Sequence, residues 1–454
     1  MSWLRTAYAA TALLVVGSLY LVESSPFTQL SHGCNNGRNS SVGGVRVDAS
    51  GAIQRLDVDQ LNVLARERAN ALGLADADMN KTSNLRKVSL RKLEEALAKN
   101  LTNNNPIPDE MKLLAGMQKI QYVFVYPEEH DIVLAGFGEG WKADARGNLV
   151  GVTTGKPVLL LDDLLVALRY ADQAAQGGIS CSIDPTPEGI ERLRKHVATL
   201  QTIGNPQQTG RGIEQVLGPQ MITVGGVPAT THLAHVLVAA DYRMKRIGMN
   251  LDPSPVAGLT SYLQLIGAGS RGLSAMAPRW WLVPDYQPVL VDPAGLAYEL
   301  RGSSVKCLTE ETVFAANGAQ TTGKSSPAAQ KWAEMMTTKY AALAQKEPIF
   351  AELQNVMDLA VVAALIKKED LAHKAGHSLP LLLNAKQLPA DEMAHVKQTD
   401  SVASLIQKGS NWVISASGGV QINSWAVADK KETSDKVVEA RNQAANKNTN
   451  WWWD

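Results

Sequence analysis

Carboxylates at two similar proline-rich turns are the residues in this sequence best suited to chemistry. Asp184 begins the run Asp-Pro-Thr-Pro and Asp252 begins the run Asp-Pro-Ser-Pro, while Asp241 lies on the segment before the second run. If these acids face one groove, they could act as the general acid and base of a hydrolase, as paired carboxylates do in glycoside hydrolysis. The simpler interpretation is structural. Each proline holds the aspartate before it extended, and the free carboxylate can then accept bonds from the amides of the turn.

Two histidine pairs have spacings that a zinc site could use. His232 and His235 lie one turn apart on an apolar helix pattern, and His373 and His377 lie four residues apart. Asp241 falls on a different face of the first helix, and a glycine interrupts the second pair. We therefore expect core or surface histidines here, and we predict no metal and no other cofactor.

Three further motifs have simple structural interpretations. Ser303-x-x-Lys306 imitates a serine-acylase motif, but it falls between predicted strands rather than at the start of a helix. Cys181 lies within an apolar run, so a buried and inert thiol is expected rather than a nucleophile. Asp162 and Asp163 most simply supply negative charge to a helix N-terminus. The catalytic residues, if there are any, stay unknown at this point.

The two proline-rich turns belong to longer segments that resemble each other. Each turn follows an apolar run, Ile179 to Ile183 in the first segment and Ile247 to Leu251 in the second. A strand pattern and an apolar helix pattern precede each run, and a Leu-Gln-x-Ile-Gly motif follows each turn. A Thr or Ser N-cap with Pro at the next position predicts that each turn opens a helix. We therefore predict a duplicated unit of strand, helix, strand, corner and helix, with a groove between its two copies.

Hydrophobic periodicity predicts helices and hairpins around this core. Apolar stripes indicate helices over 61–72, 90–101, 327–345 and 348–368. The last of these is apolar on nearly every face from Val356 to Ile366, so Asp358 within it must find a partner. Hairpins are expected at 120–135, 281–291 and 412–425, and a turn at 292–295 joins a further strand at 296–300.

These patterns indicate a mixed α/β (α+β) fold, in which a duplicated strand-helix-strand-helix core carries β-hairpins and flanking helical segments. The segments expected along the chain are a signal peptide or signal anchor at 1–24, a flexible linker at 25–55, a helical segment at 56–104, the duplicated core at 105–310, a second helical segment at 311–410, a terminal hairpin at 411–429 and a polar tail with a tryptophan end at 430–454. A length of 454 residues with 45% hydrophobic residues is sufficient for a substantial core.

Charge and cysteine content exclude several classes of partner and site. Lysine and arginine together number 44, as do aspartate and glutamate, so we predict no basic surface that would neutralise nucleic-acid phosphates. Cys34, Cys181 and Cys307 form no metal-binding spacing, and they allow at most one disulfide.

The N-terminal segment indicates export. Arg5 is followed by an uncharged stretch from Thr6 to Val22 that ends at Glu23, as in the hydrophobic region of a secretory signal. The stretch is also at the lower limit for a membrane-spanning helix, so a cleaved signal and an uncleaved anchor both stay open. A buried core helix is the third alternative. The first two place the bulk of the chain outside the cytoplasm, in the periplasm or cell envelope, secreted or tethered.

The last four residues are Trp451, Trp452, Trp453 and Asp454. An exposed aromatic segment suggests docking on another surface, and a chance feature explains it equally well.

Three stretches of the chain resemble a known family. They are Pro127 with Asp131 to Gly136 and Glu139 to Trp141, then Ala240 to Lys245, and Ser417 to Val420. Together they resemble an uncharacterised family of exported planctomycete proteins, and the likeness spans roughly residues 85 to 425. The family has no assigned activity, so the resemblance implies a bacterial envelope setting and no catalytic residue.

The expected function is therefore an exported binding or structural module of the cell envelope, whose partner is an unidentified envelope protein or polymer. The alternative is an exported hydrolase that uses Asp184, Asp252 and Asp241 in the groove between the two repeats. A hydrolase requires these acids to share one pocket, whereas a binding module leaves them dispersed at turns.

Overall fold

A seven-stranded mixed sheet and a six-stranded mixed sheet form the framework of this protein. The computed structural model describes residues 41–73, 75–199, 205–266, 277–315, 318–321, 325–403, 416–445 and 452–454. These residues belong to one compact unit. Helices and mixed sheets both contribute to it, which confirms the α+β fold class.

The strands of the described residues are, in chain order, β1 Ser41–Val42, β2 Val45–Val47, β3 Ile53–Arg55, β4 Ser83–Ser89, β5 Tyr122–Tyr126, β6 Asp131–Gly138, β7 Trp141–Ala143, β8 Leu149–Gly151, β9 Ile179–Pro185, β10 Gln220–Gly225, β11 Ala277–Tyr286, β12 Val289–Val291, β13 Ala297–Glu299, β14 Gly302–Ala315, β15 Gly318–Thr321, β16 Gln398–Thr399, β17 Ser417–Ile422 and β18 Lys431–Thr433.

The helices are α1 Val58–Ala71, α2 Leu90–Thr102, α3 Asp109–Lys112, α4 Leu161–Arg169, α5 Ala171–Gly177, α6 Pro187–Thr199, α7 Pro206–Leu217, α8 His232–Gly248, α9 Tyr262–Leu265, α10 Pro327–Lys346, α11 Pro348–Lys368, α12 Leu371–Ala375, α13 Ser424–Asp429 and α14 Asp435–Ala444. Short 3-10 turns occur at Leu114–Gly116 and Pro127–Glu129.

The strand order shows how distant parts of the chain meet. The seven-stranded sheet has the order β15-β14-β11-β17-β9-β10-β16, and the six-stranded sheet has the order β18-β12-β13-β5-β6-β4. β11 runs parallel to β17 and β12 runs parallel to β18, whereas the other neighbours are antiparallel. Strands β1 to β3 form a small third sheet, and β7 pairs with β8.

Helix α11 is the central helix of the core. Every residue from Val356 to Ile366 is buried, and α11 packs against α4, α8, α10 and α13. Asp358 finds the partner that its burial requires, because the Tyr286 hydroxyl donates a hydrogen bond to it. Among the described helices, α11 has the length and hydropathy to cross a membrane, and 89% of that stretch is buried inside the protein. A buried core helix explains this composition.

The first proline-rich turn forms as predicted. Strand β9 continues through Pro185, and α6 begins at Pro187. The Thr186 hydroxyl accepts a hydrogen bond from the amide of Gly189 at 2.9 Å, as an N-cap does.

The second turn is different, and the predicted duplication is not confirmed. The apolar run Ile247 to Leu251 begins as the last two residues of α8 and continues as a turn rather than a strand, with Asn250 at φ +55°. No helix opens directly after Asp252, since α9 begins only at Tyr262. A short apolar run does not distinguish a buried strand from a buried helix end, and here Ile247 is buried in the core as part of α8.

One predicted hairpin is confirmed and another is wrong. Strands β5 and β6 pair antiparallel across the turn at Pro127–Glu129, as expected. Strands β11 and β12 are adjacent in sequence, but they enter different sheets, where β11 pairs with β14 and β12 pairs with β13. The register between β11 and β14 shifts between Asp285 and Tyr286, just before β12 begins. The turn from Asp292 to Gly295 joins β12 to β13 as predicted.

The hairpin predicted for 411–429 is wrong where the structure describes it, and residues 411–415 lie outside the described residues. Gly418 and Gly419 are not a turn: they lie inside β17, a strand that pairs with β11 on one side and with β9 on the other. Trp425 lies in α13. Glycine is required in this strand because the backbone of both neighbours approaches closely, and Gly418 adopts φ +111°.

The predicted linker and tail also contain regular structure. Residues 41–55 form β1 to β3, because the valines of β1 and β2 pair with each other and Val42 and Ile53 join the core. The predicted segment 1–24 and the rest of the linker lie outside the described residues. At the other end, Trp452 accepts a bond from the Ser89 amide and Asp454 exchanges two bonds with Lys87. The described end of the chain, Trp452 to Asp454, therefore docks along β4.

The close approach in β17 can be tested by adding one methyl group. A Cβ atom at Gly419 would lie 1.8 Å from the carbonyl oxygen of Cys181, so Gly419→Ala should lower the free energy of unfolding by roughly 1–3 kcal/mol or more. The matched control is Gly177→Ala, because a Cβ there meets nothing within 4 Å. Urea unfolding measures both. Equal stability of the two variants would contradict the position of β17 between β9 and β11.

Candidate functional site

A cavity of about 740 Å³ lies where the small β1–β3 sheet meets α8 and α11. Its walls come from β2 and β3, the start of α1, the loop at 145–148, the C-terminal half of α8 and the start of α11. Four arginines of the described residues line it: Arg55, Arg146, Arg243 and Arg246. The acids that the described residues contribute are Asp57, Asp252 and Glu347, so this part of the lining has one more positive charge than negative charges.

Two carboxylates organise three of these arginines. Arg246 donates from Nε and Nη2 to the two oxygens of Asp252, at 2.8 and 3.0 Å. Arg243 donates to Asp252 from Nη1 at 2.6 Å and to Glu347 from Nε at 2.5 Å. Arg55 reaches Asp252 from β3 at 2.9 Å. The network therefore joins β3, α8 and the residue that precedes α11.

Asp252 is held as an anion. Burial opposes its ionisation, but the hydrogen bonds and positive charge of Arg246, with the charges of Arg243 and Arg55, lower the pKa of Asp252 to about 2. A carboxylate with this pKa stays ionised near neutral pH, so it does not serve as a general acid. Its role is to position the arginines.

The other two predicted acids lie in different surroundings. Asp241 is fully buried on α8, where Lys245 donates to it at 2.8 Å, and burial raises the pKa of Asp241 to about 7. Asp184 lies at the end of β9, with Arg279 at 3.8 Å and a side chain that is 34% exposed. Only Asp252 of the three lines the arginine cavity. The groove with shared carboxylates that the hydrolase alternative required is not formed.

The two histidines of each predicted pair lie in different surroundings and contact different groups. His232 Nδ1 lies 3.0 Å from Asp163 Oδ2, whereas His235 Nε2 lies 2.8 Å from the carbonyl oxygen of Ala394. His377 pairs with Glu94 at 2.5 Å, and the side chain of His373 is 87% exposed. In the described part of the chain, no group of three His, Cys, Asp or Glu side chains could hold a metal ion.

The remaining candidate residues lie within strands and helices, where structural roles explain them. Cys181 is buried in β9, as predicted, and burial raises the pKa of its thiol, which disfavours the reactive thiolate. Ser303 and Lys306 lie in β14, away from any helix start. Asp162 and Asp163 lie in the first turn of α4, as predicted. Sequence reasoning missed the second role of Asp163, which is to pair with His232 from a different helix.

The arginine cavity was also missed by sequence reasoning. Arg243 and Arg246 are three residues apart on α8, and this spacing was the one visible signal for a basic helix face. Arg55 and Glu347 join them only because the tertiary fold brings β3 and the start of α11 to the same place.

One family model matches part of the chain. Residues 181–262 match the family described as protein of unknown function (DUF1598). The matched segment runs from β9 to the start of α9, and it contains Arg243, Arg246 and Asp252. This segment is therefore similar to an uncharacterised domain family. No curated protein and no solved structure matches the chain.

The ion pair between His232 and Asp163 predicts a pH dependence of stability. Burial disfavours the charged imidazole, but Asp163 outweighs it and raises the pKa of His232 from 6.5 to about 9. The pair therefore stabilises fully below pH 6.5, and its contribution is lost as the pH rises through about 9. Between these limits, the stability difference between the wild type and Asp163→Asn should shrink by about 3 kcal/mol.

Chemical unfolding at several pH values measures this difference. Asp172→Asn is the control, because Asp172 is 69% exposed and pairs with a lysine rather than a histidine. A wild-type advantage over Asp163→Asn that stays constant across the range would show that His232 is not charged through Asp163.

Proposed function

We propose that this protein is an exported binding module of the cell envelope, and that its arginine cavity holds an anionic group of its ligand. The observation that carries this proposal is the excess of guanidinium groups over carboxylates in a cavity of about 740 Å³. This volume is in the range of small-ligand sites. Arginine binds carboxylate, sulfate and phosphate through paired N–H donors, so a ligand with such a group suits the cavity.

The ion-pair network leaves donors for a ligand. Asp252 and Glu347 together accept bonds from three guanidinium groups, so each guanidinium keeps N–H donors that the network does not use. Among the described residues, Arg55 donates one hydrogen bond, to Asp252, and its side chain is 57% exposed. Arg146 is exposed on the cavity wall and, within the described residues, its guanidinium has no carboxylate partner. These two arginines are the ones best placed to contact a ligand.

The rigid part of the network supports binding rather than catalysis. Asp252 stays ionised and Arg243 is tied to two acids, so these side chains present fixed charges at the cavity rather than a group that donates a proton. A fixed set of charges loses little freedom when an anion binds. An acidic oligosaccharide of the envelope is the ligand class that we propose.

The binding proposal predicts selectivity for negative charge. Isothermal titration of the full chain with trigalacturonate should show binding, whereas the neutral maltotriose of similar size should bind at least tenfold more weakly, because each charged hydrogen bond contributes roughly 1.5–3 kcal/mol. Arg55→Gln and Arg146→Gln should each weaken trigalacturonate binding by about tenfold.

Arg211→Gln is the control, because Arg211 is an exposed arginine on α7 outside the cavity. Inorganic sulfate should compete with trigalacturonate if the site recognises the charge itself. Equal binding of maltotriose, or unchanged binding by both cavity variants, would overturn the proposed site.

The export proposal rests on the uncharged stretch from Thr6 to Val22. We expect the protein in the envelope or secreted fraction of the cells that produce it. Mass spectrometry of the mature N-terminus should then find either a chain that begins beyond the uncharged stretch or an intact chain in the membrane fraction. An intact chain in the soluble cytoplasmic fraction would contradict export.

A further inference from the structure

One edge of the six-stranded sheet is formed by β4, which pairs with β6 on its inner side. An edge strand presents backbone N–H and C=O groups on its outer side, and these are a template for a further extended strand. In the described part of the chain, Trp452–Asp454 covers this side. We call the outer side of β4 the β4 edge.

The Trp452–Asp454 segment adds a short antiparallel strand to the β4 edge. Lys87 donates its amide to the carbonyl oxygen of Asp454 at 2.9 Å, and its own carbonyl oxygen accepts the Asp454 amide at 3.0 Å. The Ser89 amide donates to the carbonyl oxygen of Trp452 at 2.8 Å. Bonded and non-bonded pairs alternate in an antiparallel ladder, so the amide of Trp453, between these two pairs, points away from β4.

The side chains of the segment each have a matching group beside them. The Asp454 carboxylate lies 2.5 Å from Lys87 Nζ. The guanidinium carbon of Arg86 lies 5.3 Å from the centre of the Trp453 ring, and Arg86 is held in place by bonds to three backbone carbonyl oxygens. Trp452 is 8% exposed, and the cavity left beside the two indoles is about 10 Å³. The β4 edge therefore suits an extended segment with two aromatic residues followed by an acid.

Charge decides which part of a second copy suits the β4 edge. If β4 of one copy paired with β4 of another about Lys87, lysine would lie opposite lysine, and like charges directly opposite each other are destabilising. The Trp452–Asp454 segment of a second copy brings a carboxylate to Lys87 instead. It also offers every contact that the chain's own segment makes.

We propose that the β4 edge is a strand-exchange site, at which two copies of this chain bind each other's Trp452–Asp454 segments. Each copy donates one segment and accepts one, so both edges are covered and the assembly closes as a two-fold dimer. The exchange replaces each contact by an identical one. The dimer must therefore offset only the freedom that is lost on association.

The small size of the contact allows it to open. Three backbone hydrogen bonds and one ion pair hold the segment, and each bond contributes little net stability because the separated groups bond water instead. The chain's own segment competes with that of a second copy at a high effective concentration. We therefore expect a monomer at low protein concentration and a growing fraction of dimer as the concentration rises.

The test divides the exchange between two variants. The acceptor lacks residues 451–454, which opens its β4 edge. The donor keeps the segment and carries Lys87→Pro, which removes the outward amide; the bonds to β6 remain, because the amide and carbonyl of Lys87 both face Asp454. Sedimentation velocity at high protein concentration should show a 1:1 complex in the mixture and a monomer for each variant alone.

Two results would overturn the proposal. A mixture that stays monomeric would show that the segment covers only its own chain. An acceptor that dimerises without the donor would show that β4 pairs with β4, despite the lysines.

The charge match can be tested in the donor. Asp454→Lys places a cation opposite Lys87 of the acceptor, so it should weaken the complex at least tenfold. Glu439→Lys makes the same charge change at an exposed position of α14 and is the control. Equal affinity of these two donors for the acceptor would also contradict the proposal.

A peptide probe shows whether the segment binds as a strand. The peptide acetyl-Trp-Trp-Asp-amide, with the sequence of residues 452–454, should bind the acceptor and should bind the full chain at least tenfold more weakly, because the full chain carries its own segment. Methylation of the aspartate amide should abolish binding, since this N–H donates to Lys87. Methylation of the second tryptophan amide, which points away from β4, should leave binding unchanged. An equal effect of the two methyl groups would rule out strand pairing.

Thermal unfolding checks that both variants fold. If Lys87→Pro prevents folding, Lys87→Asp replaces it in the donor, because an acid at this position repels Asp454 without changing the backbone. The expected 1:1 complex and the two contradicting results stay the same.

Discussion

Lys245 is the buried cation that joins helix α8 to the seven-stranded sheet. Its ammonium donates to Asp241 on α8, to the Ile183 carbonyl in β9 and to the Gly418 carbonyl in β17, at 2.8, 2.9 and 3.1 Å. Lys245 is 7% exposed and Asp241 is fully buried. Removing one member of such a pair leaves an uncompensated charge, which typically costs about 3–5 kcal/mol. The pair therefore sets the position of α8 against the two central strands.

The position of α8 determines which of its charged side chains line each of two neighbouring cavities. Its first residue, His232, lines a smaller neighbouring cavity of about 340 Å³, and Arg243 and Arg246 near its end line the arginine cavity. Helix α11 takes part in the same way, since Glu352 of α11 lines the smaller cavity and Glu347, which directly precedes α11, lines the arginine cavity. Two helices that are fixed in the core thus present charged groups at cavities on the same side of the protein. The described walls of the arginine cavity have more guanidinium groups than carboxylates, whereas those of the smaller cavity have the acids Asp109, Asp163 and Glu352 against Arg68, Lys112 and His232.

Local patterns predicted the elements whose signals lie within one segment. Helix α11 and the β5–β6 hairpin form as expected, and the burial of α11 correctly required a partner for Asp358. The predictions failed where the same pattern suits two structures. The apolar run at 247–251 fits a strand or a helix end, and the glycine pair in β17 fits a turn or a strand between close neighbours. In each case the choice depends on what packs against the segment, which the segment does not contain.

The sequence by itself determined the α+β class, the helices with strong periodicity, the capped turn at Thr186 and the burial of Cys181, because these follow from spacing and local backbone preference. Only the tertiary structure decided the strand order and the two cavities. Arg55 and Arg243 lie 188 positions apart in the sequence yet share Asp252, and Asp163 meets His232 from another helix. Such contacts arise when the burial of apolar faces brings distant elements together, and no local pattern encodes which charges then become neighbours.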